Sequence, residues 1–269
     1  MVEQETNPAP IRTLDYGDRG TVLVYSDGDA LAHAAAQTFV QAMAEAVAAR
    51  GLGYVAFSGG STPKRMAELL ADHPYRDQVP WPEIEFCWGD ERWVPLSSPE
   101  RNAGVATRTL LDHVPVAPSR VDPFPSPDEV PDPKLAASMY GTQLKTIFGI
   151  VDGVPRFDLI LLGMGDDGHT ASLFPGTAAI HETEAWVVAH YVDKLKADRL
   201  TFTPPLLNAG RGVVFLVGGV GKAETLARVL EDPVDVDALP SQVIRPVDGR
   251  LVWLTDEAAA ARLSGPQGS

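Results

Sequence analysis

The chain has 269 residues, of which 45% are hydrophobic and 22% charged, and a formal net charge of -14 at pH 7. That length and apolar content suffice for a substantial core and exclude a chain disordered throughout. The acidic balance excludes a surface built for nucleic acid or an anionic membrane, and it requires any bound phosphate ester to be met by Lys and Arg gathered locally.

Residues 1–20 are polar, with Glu3, Glu5, Asp15 and Asp18, and lack the apolar centre of a signal segment. They are expected as a loose N-terminal tail, and the protein as unprocessed and cytoplasmic. Thr21–Tyr25 is an apolar strand, and Asp29–Arg50 is an Ala-rich helix stopped by Gly51. Gly53–Phe57 is the next strand. Pro63–Ala71 follows as a helix with Pro63 in its first turn. Ile84–Trp88 is a strand that holds Cys87, the single cysteine. One cysteine forms no disulfide within the chain and suits a reducing compartment, and in this apolar run it reads as a small buried hydrophobe.

Ala103–His113 is predicted as a helix. The Pro-rich connection from Pro115 to Pro133 is long for a compact domain, so it is either a functional loop or an excursion packed on the surface. Lys134–Phe148 is predicted helical, Phe157–Leu162, Trp186–Tyr191 and Gly212–Val217 as strands, Lys222–Leu230 as a helix, and Leu251–Leu254 as a last strand. Asp256 is placed to cap a further helix. Residues 264–269 read as a flexible tail, leaving 21–263 as one α/β domain. No apolar run reaches the roughly 18–20 residues of a membrane helix.

Apolar strands without alternation, flanked by helices, imply a doubly wound, mainly parallel sheet with helices on both faces, a Rossmann-like three-layer sandwich. Ligands of such sheets collect at the carboxyl ends of strands. Chemistry is therefore expected just after Phe57, Trp88, Leu162 and Val217, and the unusual residues of the sequence fall there.

Ser58-Gly59-Gly60-Ser61-Thr62-Pro63 joins a strand to a helix. Its glycines permit close backbone approach, and hydroxyls with helix N-terminal amides hold phosphate. The plain alternative is an ordinary capped turn. Ala56-Phe57-Ser58-Gly59-Gly60 also has the outline of a nucleophile elbow. An elbow needs an acid and a His downstream of Ser58, and the last His, His190, sits inside an apolar strand and reads as structural.

Gly89-Asp90-Glu91-Arg92 places three charges directly after a buried strand. Arg92 could neutralise developing negative charge or grip a phosphate, oriented by Asp90 or Glu91, and the alternative is a surface ion pair. Leu162-Gly163-Met164-Gly165-Asp166-Asp167-Gly168-His169 leads off a buried strand into an imidazole able to take a proton from water, with a neighbouring carboxylate to fix its tautomer. Gly163-x-Gly165-x-x-Gly168 formally matches a dinucleotide fingerprint, but Pro175-Gly176 interrupts the helix that fingerprint requires, and Asp193 comes late for its acid. No spaced His or Cys set completes a metal site with Asp166, Asp167 and His169. Gly221-Lys222 lacks the earlier Gly of a nucleotide P-loop (Leu216 stands there), and Ala223 replaces its Ser or Thr. Lys222 at a helix start would be relieved by a bound anion.

These segments, with Arg199-Leu200-Thr201-Phe202-Thr203 and Gly218-Gly219-Val220-Gly221-Lys222-Ala223, resemble the 6-phosphogluconolactonases in the same order over roughly residues 53–231. The related glucosamine-6-phosphate deaminases and isomerases are similar in several of these segments. They typically carry a Glu in an Asn-Glu-Pro stretch where this chain has Ser172-Leu173-Phe174-Pro175, and they lack the counterpart of Arg92. The resemblance implies hydrolysis of 6-phospho-D-glucono-1,5-lactone to 6-phosphogluconate, in the oxidative pentose phosphate pathway, with no cofactor and no metal. It implies His169 as the base that activates water, Asp167 in support, and Arg92 with Asp90 near the substrate. It further implies Gly60, Ser61, Thr62, Arg199 and Lys222 as the phosphate cradle. Glu100-Arg101-Asn102 departs from the family, which often shows Ser before the Asn. The expected partner is a small phosphorylated sugar lactone, with no nucleic acid or membrane, and the chain as a monomer or weak homo-oligomer. The alternatives are a deaminase-like or isomerase-like enzyme, a serine esterase acting through Ser58, and a non-enzymatic sugar-phosphate binding protein.

Overall fold

The computed structural model describes residues 8–266. Its strands are β1 (Arg12–Asp15), β2 (Thr21–Tyr25), β3 (Gly53–Phe57), β4 (Ile84–Trp88), β5 (Asp90–Arg92), β6 (Leu159–Leu162), β7 (Val187–Val192), β8 (Ala197–Phe202), β9 (Gly212–Val217) and β10 (Arg250–Asp256). Its α-helices are α1 (Gly28–Arg50), α2 (Ser61–Ala71), α3 (Asn102–Thr109), α4 (Pro133–Phe148), α5 (Pro204–Leu207) and α6 (Ala223–Glu231).

Local chemistry sets the helix ends. Asp27 accepts from the amides of Asp29 and Ala30 at the start of α1, and Gly51, left-handed at φ 78°, ends it. Asp132 and Pro133 open α4 and Gly149 at φ 60° closes it, by the same devices.

Seven strands form the main sheet in the order β1-β2-β10-β9-β6-β3-β4. Every neighbouring pair is parallel except β1 with β2. Every residue of β4 and β6 is buried, which requires cover on both faces of the sheet and explains the unbroken apolar run of β6, while Glu85, the one charged residue of β4, is paired with Arg120. The architecture is the expected three-layer, doubly wound α/β sandwich. The chain runs outward from β3 to β4, then returns to β6 on the other side of β3. The topological switch point therefore lies between β3 and β6, the place where such sheets open a crevice.

Four expectations are corrected. Residues 11–20 are not a loose tail, because Arg12–Asp15 pairs with β2 from Arg12↔Val24 to Asp15↔Thr21, and Gly20 packs on Leu251. Of the rest of that predicted tail, residues 8–10 form no regular element and residues 1–7 lie outside the described residues. Among the described residues no α-helix follows Asp256; its carboxylate and carbonyl instead hold a turn through the amides of Ala259 (2.7 Å) and Ala260 (3.0 Å). The helix predicted to reach His113 stops as α-helix at Thr109 and continues only as one 3₁₀ turn, Leu111–His113. Finally, the strand read at Trp186–Tyr191 is not part of the parallel sheet. It belongs to a separate antiparallel sheet of order β5-β8-β7.

The Pro-rich connection takes the packed alternative. The amide of Asp122 donates to Phe86 O at 2.8 Å along the outer edge of β4, and Phe124 is buried beneath Tyr140. This covers an otherwise open strand edge. Among the described residues, no helix is long and apolar enough to cross a membrane.

Candidate active site

The carboxyl ends of four adjacent strands, β9, β6, β3 and β4, each continue into one of the glycine-rich or charged segments. Together they enclose a cleft of about 500 Å³. Gly60, Ser61, Thr62, Asp90, Arg92, Asp167, His169, Arg199 and Lys222 all line it, so the structure brings together the residues expected near the reacting centre and the phosphate, while Glu91 stays out of it.

The loop after β6 is built around His169. Asp167 Oδ1 lies 2.5 Å from His169 Nδ1 and also receives the backbone amide of His169 at 3.3 Å. That hydrogen bond, first among the causes, holds the Asp167 carboxyl far below the usual carboxylate range. An ionised carboxylate only accepts, so Nδ1 is the donor in this bond, which in the neutral imidazole leaves the lone pair on Nε2. The imidazole stacks on Phe174 with ring centroids 4.1 Å apart. A Cβ at Gly165 would stand 2.0 Å from His169 Nδ1, so only glycine admits the ring in this position.

The loop after β3 presents Gly60, at φ 118°, and then the first turn of α2. The first amides of a helix lack intrahelical partners, and Gly60 with the hydroxyl-bearing Ser61 and Thr62 lines the cleft at this end of α2. A Cβ at Gly59 would collide with the Asn102 side-chain amide at 2.0 Å.

Arg92 and Arg199 are direct partners across the antiparallel pair of β5 and β8. Arg92 donates to Glu100 O, and Arg199 to Asp198 O at 3.0 Å. Burial, and next the charge of Arg92, push the Arg199 guanidinium down from its ordinary value. Two cations held mainly by carbonyl oxygens form a place that an anion would stabilise. Lys222 reaches across to the Asp166 carboxylate, which is 79% exposed in its side chain.

Asp90 is buried and accepts from Ser172 Oγ at 2.8 Å, which ties β5 to the segment after His169. Glu91 is fully buried and accepts from the amides of Arg92, Asn102 and Ala103 at 2.7 to 2.9 Å. Burial raises its carboxyl. Of the two acids considered as partners for Arg92, neither meets its guanidinium in a salt bridge; Glu91 instead fixes the Arg92 backbone.

Ser58 lines the cleft, but its hydroxyl turns to Gly59 O at 3.3 Å, and His190 Nε2 lies 2.7 Å from Ser172 O within the small sheet. These two residues form no Ser–His pair. Cys87 is fully buried, and burial raises its thiol well above the ordinary value, away from the thiolate a nucleophile needs. Among the described residues, no cluster of three or more His, Cys, Asp or Glu is arranged to hold a metal ion.

Sequence reasoning missed Lys194, Phe174 and Asn102 as lining residues. Asn102 carried a signal, since it opens a helix next to Arg101. Lys194 carried none, because only the β7–β8 hairpin brings it to the cleft.

Fold and cleft together define a three-layer α/β protein whose strand ends present a carboxylate-held imidazole in one cleft with a glycine-rich loop and the cations Arg92, Arg199 and Lys222. A family model described as "Glucosamine-6-phosphate isomerases/6-phosphogluconolactonase" matches residues 26–253. The chain is 41% identical over 220 residues to the 6-phosphogluconolactonase of Synechocystis, an overlap of 81% of this chain and 88% of that one. It is 36% identical over 251 residues to the 6-phosphogluconolactonase of Streptomyces coelicolor, covering 91% and 95% of the two chains. The solved 6-phosphogluconolactonase of Trypanosoma brucei superposes with a TM-score of 0.80 at 28% identity, covering 90% of this chain and 98% of that one. A monomeric glucosamine-6-phosphate deaminase shares the fold, with a TM-score of 0.73 at 20% identity. This chain belongs to the glucosamine-6-phosphate isomerase/6-phosphogluconolactonase family.

Proposed function

We propose that this enzyme hydrolyses 6-phospho-D-glucono-1,5-lactone to 6-phosphogluconate, the second step of the oxidative pentose phosphate pathway, and that His169 is the general base. The observation that carries this reading is the Asp167–His169 pair opening into the same cleft as the Ser58–Pro63 loop and the cations Arg92, Arg199 and Lys222.

The substrate has two ends, and the cleft offers chemistry for each. Its phosphate is received by the amides and hydroxyls of Gly60, Ser61 and Thr62, with Arg199 and Lys222 supplying charge. Lys222 exchanges the exposed Asp166 carboxylate for phosphate oxygens when substrate enters. Anchoring the phosphate orients the lactone carbonyl and uses binding energy remote from the reacting bond.

At the other end, Nε2 of His169 takes a proton from water as the oxygen attacks C1. Asp167 holds the imidazolium that forms. Arg92 stabilises the charge developing on the carbonyl oxygen, with Asp90 placing its strand through Ser172. The tetrahedral intermediate then collapses, the bond from C1 to the ring oxygen breaks, and His169 returns its proton to that oxygen. Every step uses side chains of this chain and water.

The stretch after His169 favours this reaction over deamination. Ser172 occupies it and is tied to Asp90, so no carboxylate from that stretch assists His169. We place the enzyme in the cytoplasm, as one catalytic unit whose cleft is built by a single chain. The deciding measurement is lactone loss above its spontaneous rate. The expected result is rapid loss with the parent protein and little with His169→Ala. Normal turnover in that variant would remove His169 as the base.

A further inference from the structure

Lys194 lies in the turn between β7 and β8, outside every motif of the chain. Its Nζ is 2.7 Å from Asp167 Oδ2, while Asp167 Oδ1 is 2.5 Å from His169 Nδ1. The carboxylate is therefore gripped on both oxygens, one by the imidazole and one by an ammonium. The other cations of the cleft point elsewhere: Lys222 to Asp166, Arg92 and Arg199 to backbone carbonyls.

We infer that Lys194 is a positioning residue for the hydrolytic reaction: by holding the outer oxygen of Asp167, it keeps the inner oxygen on His169 Nδ1 throughout the proton transfer. This rests on the reading of His169 as base. The terminal torsion of an Asp side chain is broad and roughly two-fold, so a carboxylate held at one oxygen can trade oxygens or turn toward a competing cation. Lys222 and Arg199 line the same cleft and are such competitors. A turned Asp167 leaves the ring held only by its stacking on Phe174, free to rotate its lone pair away from the attacking water. The depressed Asp167 carboxyl accords with this arrangement, with the His169 hydrogen bond as the main cause and the Lys194 bond contributing in the same direction.

The side chain can be changed without disturbing the turn. Leu195 N donates to Val192 O at 3.0 Å and Lys196 N to Asp193 O at 3.3 Å, so the backbone holds the hairpin by itself. The Lys194 side chain is 67% exposed. A structural role would act through β8, which carries Arg199, and would show as weaker substrate binding.

The experiment is a double-mutant cycle on Lys194→Met and Asp167→Asn, measuring kcat and KM for the lactone, with Lys194→Arg and His169→Ala alongside. The expected result for Lys194→Met is a kcat lower by about tenfold, part of the roughly 10²–10⁴-fold that general acid–base help supplies, at unchanged KM. Lys194→Arg recovers most of it. In the Asp167→Asn background, Lys194→Met causes no further loss, because a residue acting through Asp167 has nothing left to hold. An unchanged kcat in Lys194→Met would overturn the inference. So would a rise in KM alone, or an equal loss with and without Asp167. Normal turnover in His169→Ala would instead overturn the underlying assignment of the base, so the two failures are distinguishable.

Discussion

The two ends of the main sheet carry clefts of nearly equal size, about 500 Å³ at the carboxyl ends of the strands and about 530 Å³ near their amino ends. Both are rimmed by arginine and carboxylate, yet their charges are arranged in opposite ways. At the amino end, the buried Asp158 takes Arg50 at 2.5 Å, Arg211 at 3.3 Å and the amide of Tyr54 at 3.0 Å. Those charges satisfy one another across a fold junction. At the carboxyl end, Arg92 and Arg199 face each other, and Lys222 leans on an acid that is mostly in water. Volume does not separate the proposed active site from a structural cleft here. What separates them is whether the arginines already meet a buried carboxylate in a direct ion pair.

That contrast is open to direct attack. The largest effect is expected from His169→Ala at the carboxyl end: kcat should fall by about 10²–10⁴-fold, the typical share of general acid–base catalysis. Folding should be retained, read by an unshifted denaturation midpoint. Next comes Lys222→Ala, which should raise KM about tenfold or more with little change in kcat, the loss of one charge-assisted bond of about 1.5–3 kcal/mol to the phosphate. An unchanged KM would take Lys222 out of the cradle.

The amino end should give the reverse pattern. Asp158→Ala should cost about 2 kcal/mol of stability, because it strips a backbone amide and two guanidiniums of their acceptor. The turnover of the folded fraction should stay at the parent value. A large loss of kcat there would mean that the two ends are coupled.

The smallest effect concerns pH. Asp167 has a folded carboxyl depressed mainly by its hydrogen bond to His169. Its contribution to stability is therefore fully present above the unfolded Asp value of about 3.9 and is lost as pH falls through the lower folded value. The gap in thermal midpoint between the parent and Asp167→Asn should hold from pH 7 to about pH 4 and close only in stronger acid. A gap that closed between pH 7 and 5 would contradict that ordering.

Much of this was legible in the residues themselves. β3, β4, β6 and β9 are largely apolar without alternation and read directly as buried strands of a parallel sheet, and the glycine and charge segments immediately after them marked where the cleft would open. What stayed hidden depends on partners distant in sequence. β1 is a polar edge strand, with no residue in it buried, so nothing in Arg12–Asp15 announces pairing. β5 is three residues of Asp-Glu-Arg that become a strand only because β8 lies beside it. Lys194 is an ordinary hairpin lysine until β7 and β8 fold it over Asp167. The helix expected after Asp256 gives way to a turn, and the Asp256 carboxylate accepts the amides of both Ala259 and the distant Gly219, so the same side chain tethers a second loop.

Gly165 has a practical consequence. It has no functional group and touches no reacting atom, yet a single methyl there would occupy the space of the imidazole. In a saturation library scored for growth or turnover, position 165 should tolerate as little variation as position 169 while the folded yield stays high. A map of intolerance alone would thus rank an inert backbone atom beside the proposed proton acceptor, and only the three-dimensional arrangement tells the occupant from the space kept for it.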